Sequence, residues 1–166
     1  MNNFQNITFI GMPGSGKSTY GKKLAKMLQY SFLDIDKVVE KQTGIKLQQI
    51  IDKFGDKKLM EVEENAILNL GSIHHHVISP GGSIIYSLKA MGFLKKVSKI
   101  VFIDVPYEVI KKRLSSPEKR GIVGLKTKGL KEIYQERLPF YQKYANITLQ
   151  SSDDLDINVL MKSLGK

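Results

Sequence analysis

Gly11-Met12-Pro13-Gly14-Ser15-Gly16-Lys17-Ser18-Thr19 fits the pattern G-x-x-x-x-G-K-[ST] near the start of a 166-residue chain. Glycines at these positions free backbone N–H groups to converge on a phosphate. A helix following the loop adds the positive end of its dipole. Lys17 can reach the β- and γ-phosphates of a nucleotide, and the Ser18 hydroxyl can ligate Mg²⁺. The surroundings agree. Ile7, Thr8, Phe9 and Ile10 form a short apolar run suited to a buried parallel strand. Gly21, Leu24, Ala25 and Leu28 then recur at i, i+3, i+4 and i+7, one face of a helix. Gly14, Ser15, Gly16, Lys17, Ser18 and Thr19 are therefore the candidate nucleotide-binding residues, and ATP with Mg²⁺ is the expected cofactor pair.

The same alternation continues. Strand-like runs occur at Phe32-Leu33, Val77-Ile78, Ile100–Ile103 and Ile147–Leu149. Helical periodicity predicts helices at 18–29, 37–43, 46–53, 56–70, 87–96, 107–115, 128–143 and 155–164. Strands alternating with helices imply an α/β fold, a parallel sheet covered on both faces. The length suits one domain spanning 1–166, with no repeat or linker inside it. There is no cysteine, which excludes disulfides and thiolate chemistry. No run of about 18 or more apolar residues occurs, and the first residues do not read as a secretory signal. The expectation is a cytoplasmic protein. Net charge is +10, but the lysines are scattered and tryptophan is absent, so nucleic acid is not the expected partner.

Only three of the 26 basic residues are arginine: Arg113, Arg120 and Arg137. A guanidinium binds phosphate or carboxylate bidentately, which lysine cannot do. These three are candidates for the anions of nucleotide and substrate, against the plainer alternative of surface arginines. Arg120 lies in 115–129, a stretch with Pro117, Gly121, Gly124 and Gly129 that reads as a mobile lid. Asp34 and Asp36 follow the second strand. Alternation in an extended segment would point both carboxylates to one side, toward the phosphate loop. One could hold Mg²⁺ and the other accept a hydrogen bond from an attacking hydroxyl; alternatively Asp36 caps a helix. Pro80-Gly81-Gly82-Ser83 allows close ligand approach or is a plain turn. His74-His75-His76 reads as a loop entering a strand, not a metal site. Asp153, Asp154 and Asp156 suit the start of the last helix.

Taken in order, these features resemble the shikimate kinase family. The resemblance rests on Gly11–Thr19, Asp34-Ile35-Asp36, Gly55-Asp56 before Glu63-Glu64, Gly81-Gly82, Arg120, and Arg137-Leu138-Pro139-Phe140-Tyr141. It implies a three-layer α/β/α fold with a five-stranded parallel sheet and a mobile lid. It also implies transfer of the γ-phosphoryl of ATP to a ring hydroxyl of shikimate by a monomer. Asp36 would meet the substrate hydroxyls and Arg137 its carboxylate, and the acceptor-binding helices would lie at about 37–70. Arg120 would meet the transferring phosphates, Arg113 would lie near the adenine, and Gly81 and Gly82 would offer N–H groups. Lys17, Asp36 and Arg120 are the implied catalytic residues, and Ser18 and Asp34 the metal-binding pair.

One position departs from the family pattern. Where the family places Phe-Arg, with the arginine a second clamp on the shikimate carboxylate, this chain has Leu59-Met60. Methionine donates no hydrogen bond. Losing a charged hydrogen bond of about 1.5–3 kcal/mol weakens carboxylate binding by roughly ten- to a hundredfold. Lys57, one turn earlier, is a candidate substitute. Ser83 stands in place of a third loop glycine. Two other readings follow: a kinase of a different hydroxylated metabolite or nucleotide, and an ATP-dependent binding module.

Overall fold

The computed structural model describes residues 6–151 and 155–165. Five strands form one wholly parallel sheet: β1 (Asn6–Ile10), β2 (Ser31–Asp34), β3 (His76–Ser79), β4 (Ser98–Asp104) and β5 (Ile147–Gln150), in the order β2-β3-β1-β4-β5. β1 is central and buried at every residue: Ile7, Phe9 and Ile10 are apolar, and its two polar side chains are satisfied, Asn6 donating to the Ile73 and Val97 carbonyls and Thr8 hydrogen-bonding with Ser98. Its register runs Ile7 to Val77 on one side and Ile7 to Lys99 on the other.

Among the described residues seven α-helices connect the strands, α1 (Lys17–Leu28), α2 (Ile35–Thr43), α3 (Leu47–Phe54), α4 (Asp56–Leu68), α5 (Leu88–Val97), α6 (Tyr107–Arg113) and α7 (Leu130–Tyr144), and α8 (Ile157–Ser163) follows β5. Each begins and ends within two residues of the span predicted from periodicity. α1 packs on β1, β2 and β3 and against α8; α5 and α7 pack on β4, with α4 beside α5. The result is the three-layer arrangement expected. Leu24 from α1, Ile78 and Ile100 from the sheet, and Leu94 from α5 are among its fully buried side chains.

Two local readings need correction. Strand β2 ends at Asp34 and the chain turns at once into α2, so Asp36 sits in a helical first turn and not in an extended segment. The helix cap is Asp34, whose carboxylate accepts from the Lys37 N–H at 3.4 Å, and not Asp36. Asp153 and Asp154 lie outside the described residues; Asp156 caps α8 as expected, accepting from the Asn158 N–H. His76 opens β3 with its Nδ1 2.7 Å from the His74 carbonyl oxygen, and His75 packs edge-on to Tyr30. Among the described residues no cluster of metal-ligating side chains forms there. No helix of the described residues is long and apolar enough to cross a membrane.

Candidate active site

The loop between β1 and α1 is shaped by its glycines. Gly14 and Gly16 take φ of 80° and 97°, a region that side-chain-bearing residues rarely enter. A Cβ on Gly16 would also stand 2.6 Å from the Tyr20 ring. Gly16 is the N-cap of α1 and no side chain caps that end, so its first-turn N–H groups stay available to an anion. Lys17 begins the helix and is buried. Its Nζ donates to the Gly11 and Met12 carbonyls at 2.9 and 3.0 Å, which bends the ammonium back over the loop. Burial lowers its pKa to about 8, with Asp36 opposing that shift.

A cleft of about 490 Å³ opens at the C-terminal ends of the strands. That is where open α/β sheets place ligands. Gly14, Gly16, Lys17, Ser18 and Thr19 line one end, with Arg113 and Arg120; Asp36, Glu63, Gly81, Gly82, Ser83 and Arg137 line the other. Arg113 Nη1 donates to the Gly14 carbonyl at 3.2 Å, and the Ser18 hydroxyl donates to Asp34 Oδ2 at 3.1 Å. Ser15 is fully buried beneath the loop, its N–H donating to the Met12 carbonyl.

Lys17, Glu63 and Arg137 are the buried charged side chains among the described residues, and all three face this cleft. Burying charges is costly unless a ligand or a partner compensates them. Arg137 sits on the apolar stripe of α7 with Ile133, Tyr141 and Tyr144. It donates to the Val123 carbonyl at 3.0 Å and lies over the Tyr86 ring at 5.5 Å. Its Nε has no partner, and neither does the buried Oδ1 of Asp36. Asp36 is pushed up to about 6, chiefly by burial, with Lys17 pulling it back. Tyr141 donates to the Gly82 carbonyl at 2.7 Å and fixes the glycine loop.

The stretch 115–129 folds across the cleft. It is tied down by Gly121 N–H to Gln48 Oε1 at 3.0 Å, Gly124 N–H to Asp56 Oδ2 at 2.9 Å, and an ion pair between Lys126 and Asp52. Lys128 pairs with Glu136, which also accepts from the Tyr86 hydroxyl. Ile122 and Val123 turn inward and line the cleft, while Arg120 reaches it from an exposed position.

A protein-family model for shikimate kinase matches residues 13–164. The chain belongs to the shikimate kinase family. A shikimate kinase of Clostridium botulinum (strain Loch Maree) is 33% identical over 165 residues, covering 98% of this chain and 97% of the relative. One from Caldanaerobacter subterraneus is 32% identical over 151 residues, covering 90% and 88%. Among solved structures, shikimate kinase from Acinetobacter baumannii in complex with shikimate superposes with a TM-score of 0.86 at 27% identity, covering 97% of this chain and 91% of that one. The Aquifex aeolicus shikimate kinase gives 0.82 at 30% identity, covering 96% of both.

Against the shikimate kinase pattern, the structure separates what the sequence had grouped. Met60 does not line the cleft; its apolar side chain packs against the hydrophobic core, half-buried. Lys57 is exposed and also outside the lining, so it does not stand in for the missing arginine. Glu63 was read only as part of a motif, yet it is 2% exposed in the cleft wall. Its position gave a usable signal: with Leu59, Ala66 and Ile67 it falls on the buried stripe of α4, where an acidic residue is anomalous.

Gly81 is tightly enclosed. A Cβ there would collide with the Glu63 carboxyl and lie 3.2 Å from Asp36 Oδ1, although its φ of −61° and ψ of 156° suit any residue. Gly81→Ala is therefore expected to leave the backbone dihedrals unstrained but to push the buried Glu63 carboxyl aside, lowering the thermal midpoint by a few degrees. It should cut kcat/KM for the acceptor by about tenfold or more while sparing KM for ATP, because a displacement of about 1 Å at a reacting group is costly. Steady-state kinetics with each substrate varied in turn checks this.

Proposed function

We propose that this chain transfers the γ-phosphoryl group of ATP to a hydroxyl of shikimate, giving shikimate 3-phosphate. One observation carries the reading. At the acceptor end of the cleft, a carboxylate oxygen of Asp36 and a guanidinium nitrogen of Arg137 are both buried without partners. Buried polar groups are nearly always satisfied, so an unpaired set invites a ligand that satisfies it. A small molecule carrying both a hydroxyl and a carboxylate does so.

In this reading Gly14, Ser15, Gly16, Lys17, Ser18 and Thr19 hold the triphosphate, and Arg113 borders the adenine. Lys17 and Arg120 offset charge on the transferring group, which is most of what phosphoryl transfer requires of a protein. Asp36 accepts the hydrogen bond of the attacking hydroxyl and orients its lone pair toward phosphorus. Gly81 and Gly82 offer backbone N–H groups, and Arg137 takes the carboxylate. Closure of 115–129 excludes water and so suppresses idle hydrolysis of ATP. Ser18 and Asp34 suit Mg²⁺: two hard oxygen donors lie within 3.1 Å of one another beside the loop, and this ion takes few protein ligands when phosphates supply the rest. Bound there, the cation would neutralise phosphate charge.

Met60 favours a second reading, in which the acceptor is another hydroxylated metabolite. Coupled ADP release across a panel of hydroxy acids, polyols and nucleosides separates the two. Saturable turnover with shikimate at submillimolar concentration supports the first. Activity confined to another acceptor overturns it.

A further inference from the structure

Of the three buried charges in the cleft, the reaction described above uses Lys17 and Arg137 and leaves Glu63 without a task. Glu63 Oε2 accepts from the Ser83 hydroxyl at 2.8 Å, and its Oε1 borders Gly81. Among the described residues it makes no ion pair. One helical turn before it stands Met60, at the position where the family pattern has arginine. The charge arithmetic at this wall is then specific to this chain. An arginine at 60 and an ionised Glu63 would sum to zero. With Met60, an ionised Glu63 lacks the counter-charge that an arginine one turn earlier on α4 would add, and it faces an acceptor that itself carries a carboxylate. Met60 and a neutral Glu63 restore the balance.

We propose that Glu63, held by Ser83, governs binding of the anionic acceptor by standing in the cleft wall as an uncharged carboxylic acid. Its ionisation makes it a competitor for Arg137. Glu63 is a positioning residue here, acting through Arg137. The inference rests on a carboxylate-bearing acceptor, as assigned above. The groups facing Glu63 are Asp36 from α2, Lys17 from α1, Ser83 from the 3-10 turn at Gly82–Tyr86, and Arg137 and Tyr141 from α7. Burial, then Asp36, disfavour its charge, while Ser83, Arg137 and Lys17 favour it; the balance lifts its pKa to about 7. Tyr141, at about 12, does not titrate in this range; Asp36, at about 6, and Lys17, at about 8, do, so the Glu63 step is the difference between the wild type and a variant neutral at position 63. Ser83 thus does two things: it satisfies one oxygen of the acid, and it fixes the other beside Gly81.

The sign follows. The neutral acid binds the anionic acceptor better, so affinity is highest below about 7 and declines as pH rises through that value. KM for shikimate should rise roughly tenfold between about pH 6 and about pH 8.5, with no parallel rise in KM for ATP. Glu63→Gln, neutral at every pH, should remove the step near 7 from that profile, leaving only what Asp36 and Lys17 contribute. Met60→Arg should remove that step too, because a long cationic side chain at i−3 on the same helix reaches the Glu63 carboxylate and supplies its counter-charge, which Met60, packed against the core, does not. Calorimetry of shikimate binding at about pH 8, in buffers of different ionisation enthalpy, should show fractional proton uptake by the wild type and none by Met60→Arg. The Met60 variant and the calorimetry keep the test open if Glu63→Gln does not fold. A wild-type profile that Glu63→Gln, or Met60→Arg, leaves unchanged overturns the inference while leaving shikimate as acceptor. Absence of shikimate-dependent ADP release at every pH overturns the acceptor assignment and the inference together.

Discussion

Replacing Asp36 by asparagine should lower kcat by about a hundredfold or more, the range over which positioned acid–base groups contribute. The substitution is nearly isosteric, so packing around α2 is retained. What changes is the electrostatics. The carboxylate faces the acceptor end with one oxygen buried and unpaired, and Lys17 is the leading cation beside it. An attacking hydroxyl that donates to this carboxylate gains nucleophilicity as its proton is drawn away. The amide still accepts a hydrogen bond, but it carries no charge and cannot take the proton. KM for ATP should move little, because Asp36 lies at the acceptor end of the cleft. Rapid-quench measurement of a single turnover isolates the chemical step. A rate near that of the wild type would remove Asp36 from the mechanism.

Lys17→Ala should cost about as much in kcat and should also raise KM for ATP, since one ammonium serves both binding and charge neutralisation. The Gly11 and Met12 carbonyls lose their donor, but the glycine-set loop conformation does not depend on it. Removing Lys17 also takes away the strongest force holding Asp36 in its charged form. The two residues are thus coupled, and the double variant should lose far less than the product of the single losses. Strict multiplicativity in that cycle would show that the lysine and the aspartate act separately.

How much of this was legible in the sequence depends on the range of the interaction. The loop from Gly11 to Thr19 was readable because its function requires local glycine geometry, an adjacent lysine and a helix start, all within nine residues. Helix spans were readable because burial imposes a period of 3.6 on an amphipathic helix, and strands because burial on both faces of a parallel sheet leaves short apolar runs. Asp36, Gly81 and Gly82 could be placed toward the cleft because parallel topology sends strand ends to one edge. Asp34, not Asp36, is the cap because α2 starts at Ile35, two residues before the predicted position, and periodicity does not resolve helix ends to single residues.

Motif order and local patterning in the chain alone determined the phosphate-binding loop, the parallel α/β architecture and the family resemblance. Only the tertiary structure decided that Met60 turns to the core, that 115–129 is tied down on α3 and α4, and that Ser83 meets Glu63 twenty residues away in the chain. The physical reason is common to all three. Each depends on which side chains meet across separate elements, and on the desolvation that meeting imposes. Neither quantity is written in the spacing of residues along one strand or one helix.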